Sequence, residues 1–182
     1  GFRAVVYSDL FQFLIMTSSV IIVLIFSYTT HGIKPLVNLP PNYYSLTGSY
    51  SIFETFAWGL IALGTLVDPN FYQRCFAANS EKTAIKGIFY STLIWIIFDL
   101  SLTIGAMYAA ALLPNANSKI GYFQYAFDLL PIGLKGFFLA GILATILSTL
   151  DSYLFLAGST LSFDLASHKK FTKQKTHYLG II

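Results

Sequence analysis

The sequence predicts an all-α polytopic membrane protein, and three observations lead to that fold class. Apolar residues make up 55% of the 182 residues, and charged residues only 10%. The apolar residues occur in long runs separated by short polar stretches, where a half-buried surface of a soluble domain would alternate apolar and polar positions. Four of these runs have, or nearly have, the length of about 20 residues that crosses a bilayer as a helix. The composition therefore indicates a bilayer protein, not a soluble core.

The four apolar runs predict helices at about residues 5–28, 50–67, 85–113 and 136–161, and another helix is expected to begin near Tyr178. The chain opens at Gly1 without an initiator Met or the layout of a signal peptide, so we expect residues 1–182 to be one membrane domain from a longer protein. The second run is short, contains Gly59 and Gly64, and ends at Asp68-Pro69. That pattern is typical both of a broken transporter helix and of a tilted helix with packing glycines.

The basic residues predict the orientation, because short basic loops stay on the cytoplasmic side of a membrane. With the N-terminus inside, eight basic residues are cytoplasmic and three are outside. The cytoplasmic set is Arg3, Arg74, Lys82, Lys86, Lys169, Lys170, Lys173 and Lys175; the outer set is Lys34, Lys119 and Lys135. Because these residues are scattered over separate loops, the net charge of +3 does not indicate nucleic-acid binding. The single Cys75 rules out a disulfide framework.

Two carboxylates interrupt the apolar runs, Asp99 in the third and Asp151 in the fourth. A carboxylate near the bilayer centre costs roughly 2.5 to 3.5 kcal/mol, and no Lys or Arg lies inside the apolar cores of the four runs to pair with it. Each Asp is therefore protonated, paired with helices outside this chain, exposed to a water-filled cavity, or bound to a cation.

The fourth run carries a stripe of hydroxyl residues on one helical face. At about 100° per residue, four of them fall within about 100° of arc: Thr145, Ser148, Thr149 and Ser152. A single such hydroxyl ordinarily bonds to a carbonyl of its own helix or allows close helix packing. Four of them beside Asp151 favour a set of oxygen ligands for a hard monovalent cation.

These residues belong to a longer pattern that resembles the sodium/solute symporter family over nearly the whole chain. The family's helix-opening pattern is matched by Gly1, Ala4-Val5, Tyr7, Ser8, Asp9 and Gln12. Its loop motif is matched by Gln73-Arg74 and Ala77-Ala78. The strongest match is the succession 130–136, 140–144 and 148–152, which closes on Ser159-Thr160 and Asp164.

The resemblance implies a LeuT-type fold of two inverted five-helix repeats, of which this chain would hold the fifth to eighth core helices. It implies Na+ as the coupling ion, bound by the hydroxyls of Ser148 and Thr149 and by the backbone carbonyl of Thr145. Two further ligands would be carbonyls of the first core helix, which is outside this chain. The same likeness makes the protein a multi-pass protein of the plasma (inner) membrane, in contact with lipid.

A second cation position is expected nearer the cytoplasm, formed by Asp9, Asp151 and Ser152. Asp9 resembles a helix-five Asp that helps some family members hold a second sodium ion. Asp151 stands where many members have a small or hydroxyl residue, so it either strengthens that site or links it to a proton.

The function that the resemblance implies is sodium-coupled symport of a small solute, carried out together with the remaining helices of the full-length transporter. The alternative is a symporter-like sensor module of a signalling protein. No enzyme is expected, because the three histidines all fall in loops or tails. Thr65 and Asp68 are expected in the solute pocket, since a Gly-rich, Pro-ended span exposes side chains to a cavity. The end of that span, at Asp68-Pro69, resembles the proline-bearing variants of the family, and it does not identify the solute.

Overall fold

The computed structural model describes residues 2–161, and for Phe2 only the backbone. In that range the chain forms seven α-helices, two 3₁₀ turns and no strand. The helices are α1 (Phe2–His31), α2 (Lys34–Val37), α3 (Ile52–Ala62), α4 (Pro69–Phe76), α5 (Glu81–Leu112), α6 (Gly121–Leu129) and α7 (Ile132–Ser159); the 3₁₀ turns are Pro41–Tyr44 and Leu63–Val67. The helix expected near Tyr178, Asp164 and the basic stretch 169–175 lie outside the described residues.

Three of the helices are long and apolar enough to cross a membrane: α1 over Arg3–His31, α5 and α7. A fourth span results if the bent pair Ile52–Val67 and Pro69–Phe76 is taken as one. Large apolar side chains point outward along these helices; Phe11 is 66% exposed and Trp95 48%. Exposing so much apolar surface to water would be unfavourable, whereas contact with lipid or neighbouring membrane helices would cover it. The protein is an integral multi-pass membrane protein.

Local sequence signals explain where the long helices begin and end. Helix α1 ends because Gly32 adopts a φ of 62°, a left-handed conformation open to glycine, and its N–H donates to the Tyr28 carbonyl at 2.9 Å. Helix α5 begins at Glu81, earlier than predicted, because the Ser80 hydroxyl accepts the Thr83 N–H at 3.2 Å. Helix α7 begins directly after Pro131, whose carbonyl accepts the Lys135 N–H at 3.0 Å.

The second apolar run is a broken helix. Its α-helix α3 ends at Ala62 and tightens into the 3₁₀ turn before Asp68, and the chain then bends by 49° into α4. Asp68 is extended, with φ −74° and ψ 117°, because proline at the next position disfavours the helical conformation. A Cβ placed on Gly59 or Gly64 would meet no atom within 4 Å in the described part of the chain. Packing against this part of the chain therefore does not explain these glycines.

The chain divides into two compact units. One combines Gly1–Thr17 with Leu139–Ile182, and the other is Ser18–Phe138. In its described part, the first unit consists of the N-terminal half of α1 and most of α7, and it contains the hydroxyl stripe. The second unit contains the remaining helices, including α6, a short helix that the apolar runs did not predict.

The core of the second unit is built around buried tyrosines. Tyr108 is 1% exposed, and its hydroxyl donates to the Gly32 carbonyl at 2.8 Å, which ties α5 to the end of α1. The ring of Tyr122 lies so close to Gly105 that a Cβ there would be 2.8 Å from it. A larger residue at position 105 would therefore require the Tyr122 ring to shift.

Candidate cation site

Three of the predicted sodium ligands meet on one face of α7. The Ser148 hydroxyl donates to the Thr145 carbonyl at 3.1 Å, and the Thr149 hydroxyl donates to the same carbonyl at 3.2 Å. The Thr145 hydroxyl itself donates one turn back, to the Gly141 carbonyl at 3.0 Å. The Thr145 carbonyl is thus the point on which both hydroxyls converge.

The spacing of these oxygens is compatible with a hard cation. Two oxygen ligands about 2.4 Å from an ion and at right angles to each other lie roughly 3.4 Å apart. The two hydroxyl oxygens already lie 3.1 and 3.2 Å from the carbonyl oxygen. A bound cation would therefore require the hydroxyl protons to turn away, with little movement of the backbone. In the described structure the hydroxyls bond to their own helix, as Ser and Thr commonly do in membrane helices.

Asp151 lies half-buried two residues after this group and contacts α1. Its Oδ2 accepts a hydrogen bond from the Ser8 hydroxyl at 3.2 Å and another from the Gln12 side-chain amide at 3.3 Å. Both donors are neutral, so they orient the carboxylate without supplying a compensating charge. Asp151 therefore lies at the contact between α1 and α7, held there by two hydrogen bonds from α1.

The other residues predicted for a second cation position lie beside this contact. Asp9 is half-buried on α1, between Ser8 and Gln12, and Ser152 is half-buried directly after Asp151. Within residues 2–161, no three His, Cys, Asp or Glu side chains come together as a metal cluster. The available ligands are thus hydroxyl, carbonyl and amide oxygens with carboxylates, a set that suits a hard cation.

Sequence reasoning did not give Ser8 and Gln12 a role, although both belong to the helix-opening pattern. Each lies more than 130 residues from Asp151 along the chain, with separations of 143 and 139 residues. The signal that could have found them is their spacing: Ser8 and Gln12 are one turn apart, so they share one face of α1.

The two residues predicted for solute binding belong to the second unit, at the break in the second apolar run. Asp68 caps α4: its carboxylate accepts the Asn70 N–H at 2.9 Å. The Thr65 carbonyl accepts the Asp68 N–H at 3.3 Å, while the Thr65 side chain is exposed. The structure therefore gives Asp68 a capping role and leaves the Thr65 hydroxyl accessible.

The family model described as "Sodium:solute symporter family" matches residues 1–178. The sodium/pantothenate symporter of Haemophilus influenzae is 28% identical over 175 residues, which cover 91% of this chain and 36% of that protein. The sodium/pantothenate symporter of Escherichia coli strain K12 is 26% identical, also over 175 residues that cover 91% of this chain and 36% of that protein. The chain thus spans about a third of the length of these relatives. No solved structure matches at a significant level.

These comparisons confirm the resemblance seen in the sequence motifs. The matched range contains the hydroxyls of α7 as well as Asp151 and its partners on α1. The relatives are named as transporters, not as enzymes. Since the family model covers nearly the entire chain, the chain belongs to the sodium:solute symporter family.

Proposed function

We propose that the complete protein containing this chain carries a small solute across the plasma (inner) membrane together with sodium ions. The observation that carries this proposal is the match of the sodium:solute symporter family model to residues 1–178, a range that contains the Ser148 and Thr149 hydroxyls that converge on the Thr145 carbonyl. Family membership supports sodium as the ion. Because the chain spans about a third of its relatives' length, transport requires the remaining helices of the full-length protein, and lipid surrounds the assembly.

The proposed fold is the LeuT type, with this chain as the fifth to eighth core helices. Its support is the order of four membrane segments: α1, the bent pair α3 and α4, α5, and α7. In such transporters, discontinuous helices line the substrate site near the middle of the bilayer. The 49° bend at the second segment supports its assignment as the discontinuous sixth core helix.

In the first sodium position, Ser148 and Thr149 contribute hydroxyl oxygens and Thr145 contributes its carbonyl oxygen. When sodium binds, each hydroxyl turns its proton away so that a lone pair faces the ion. The other ligands come from the first core helix. Sodium thereby joins α7 to a helix of the other repeat, and it favours the conformation in which those two helices are close. This preference couples the sodium gradient to solute binding.

A second cation position uses Asp9, Asp151 and Ser152. Its support is the placement of Asp151, which Ser8 and Gln12 hold against α1 through neutral hydrogen bonds. A cation supplies the positive charge that these donors lack. Since a carboxylate inside a membrane segment is costly without such compensation, the site gains strongly from ion binding.

The solute site includes the break at Asp68, with the Thr65 hydroxyl as a hydrogen-bond donor. Pantothenate is the first solute to test, because both relatives are named as sodium/pantothenate symporters. The identity of 28% and 26% supports a small solute of this general kind.

The proposal is tested with the purified complete protein in proteoliposomes. An inward sodium gradient should drive accumulation of radiolabelled pantothenate, and an equal potassium gradient should not. If other small carboxylates or sugars replace pantothenate, symport stands and the solute is corrected. If no solute accumulates and sodium does not raise the melting temperature of the protein, the proposed function is wrong.

A further inference from the structure

The contact between α1 and Asp151 has an unusual feature at Gln12. The side-chain amide nitrogen of Gln12 donates to Oδ2 of Asp151 at 3.3 Å, the same oxygen that accepts the Ser8 hydroxyl at 3.2 Å. An ionised carboxylate only accepts hydrogen bonds, so it requires the nitrogen end of the amide to face it. The carbonyl end of the Gln12 side chain is therefore directed away from this carboxylate oxygen.

That carbonyl oxygen, Oε1 of Gln12, is buried and accepts no hydrogen bond from any residue in the described range 2–161. Buried side-chain oxygens nearly always have a hydrogen-bond partner, because burial removes their hydrogen bonds with water. An amide oxygen with two free lone pairs next to Asp9 and Asp151 is a good ligand for a hard cation.

We propose that Gln12 is a ligand of the second cation position, an inference that rests on the proposed function. Its amide bridges two partners: the nitrogen holds Asp151 in place, and Oε1 binds the ion. The side chain thus fixes the distance between the carboxylate and the cation. Its oxygen is neutral, so it adds a ligand without adding to the negative charge that Asp9 and Asp151 already bring into the membrane.

The test compares two variants of the complete protein that both remove a hydrogen bond to Asp151. Gln12→Met keeps the length of the side chain and removes both the donor and the oxygen ligand, whereas Ser8→Ala removes only a donor. Two quantities are measured: the sodium concentration that gives half of the maximal rise in melting temperature, and the Hill coefficient of sodium-driven uptake. Gln12→Met should raise that concentration about tenfold or more and lower the Hill coefficient toward one, while Ser8→Ala should shift it by less than about threefold.

A third variant keeps the test decisive if Gln12→Met does not fold. Gln12→Glu retains an oxygen at the site but cannot donate to Asp151 while ionised. A ligand role predicts that Gln12→Glu retains sodium-dependent stabilisation. A role in orienting Asp151 alone predicts that Gln12→Glu loses this stabilisation, because the ionised Glu side chain lacks the N–H that donates to Asp151 and its retained oxygen would be of no use.

The outcomes separate this inference from the proposed function. If Gln12→Met keeps the wild-type sodium dependence, or if it and Ser8→Ala weaken it equally, Gln12 is not a ligand, and a buried water or a neighbouring helix satisfies Oε1. If Ser148→Ala weakens sodium binding in the same experiments, the proposed function survives that result. If the wild-type protein shows no response to sodium at all, the proposed function itself fails.

Discussion

Removing the hydroxyl of Ser148 or Thr149 should weaken sodium binding by the complete transporter while leaving its folding nearly intact. Each hydroxyl donates to the Thr145 carbonyl, at 3.1 and 3.2 Å. That carbonyl keeps its backbone hydrogen bond within the helix when a hydroxyl is lost. The cost to folding should therefore stay below about 1 kcal/mol for each substitution.

The cost to sodium binding is larger, because the hydroxyl contacts a full charge. Hydrogen bonds to charged groups contribute about 1.5 to 3 kcal/mol, and a contact between a hydroxyl dipole and an ion is of comparable size. At about 1.4 kcal/mol for each factor of ten, Ser148→Ala and Thr149→Val should each raise the half-saturating sodium concentration roughly 10- to 150-fold.

The chain offers a matched control for this experiment on α5. The hydroxyls of Ser91 and Thr92 both donate to the Ile88 carbonyl at 2.9 Å, with the same three- and four-residue spacing as Ser148 and Thr149. Ser91→Ala and Thr92→Val thus remove the same kind of intrahelical bond outside the proposed site. Sodium titrations of uptake and of melting temperature should be shifted by the α7 variants and not by the α5 variants. A wild-type sodium midpoint in both α7 variants, or an equal shift in the α5 pair, would refute the assignment.

Three further predictions follow from the same structure. Asp151→Asn should weaken sodium binding more than tenfold, because it removes the charge that faces the ion, while Asn still accepts the hydrogen bonds from α1. Unchanged sodium titrations together with a raised melting temperature would instead identify Asp151 as a protonated packing residue. Thr65→Val should raise the half-saturating solute concentration more than that for sodium, and an unchanged solute affinity in uptake assays would contradict the pocket assignment. Cys75, half-buried after the break in the second run, should resist an impermeant thiol reagent in intact cells and react in inverted vesicles; ready modification from outside would reverse the predicted orientation.

The sequence predicted those features that depend on local pattern. Apolar runs identified the long segments α1, α5 and α7, because spanning a bilayer imposes a length on each helix. The hydroxyl stripe was also predictable, since Thr145, Ser148 and Thr149 share one helix and their relative directions follow from its period. Two alternatives were open for the second run, and the structure bends there by 49° at Asp68-Pro69, which favours the broken helix.

Features that depend on distant contacts could not be predicted in the same way. Helix α6 has nine residues and no long apolar run to mark it, and it is held by packing such as that of Tyr122 against Gly105. The hydrogen bonds from Ser8 and Gln12 to Asp151 join positions at opposite ends of the chain. Periodicity says which way each residue points on its own helix, but not which helix lies opposite.

The break at Asp68 also determines how the second segment can deform. A continuous helix resists bending, because each carbonyl is tied to an amide four residues later along its whole length. At Asp68 the chain passes from a 3₁₀ turn to a new helix through one extended residue, so few backbone hydrogen bonds cross the joint. A change of angle there rotates mainly the torsions of that residue and leaves both helical arms intact. A rocking motion of the two arms would therefore concentrate the change of backbone torsion angles at Asp68, close to Thr65, and would displace the far ends of the arms most.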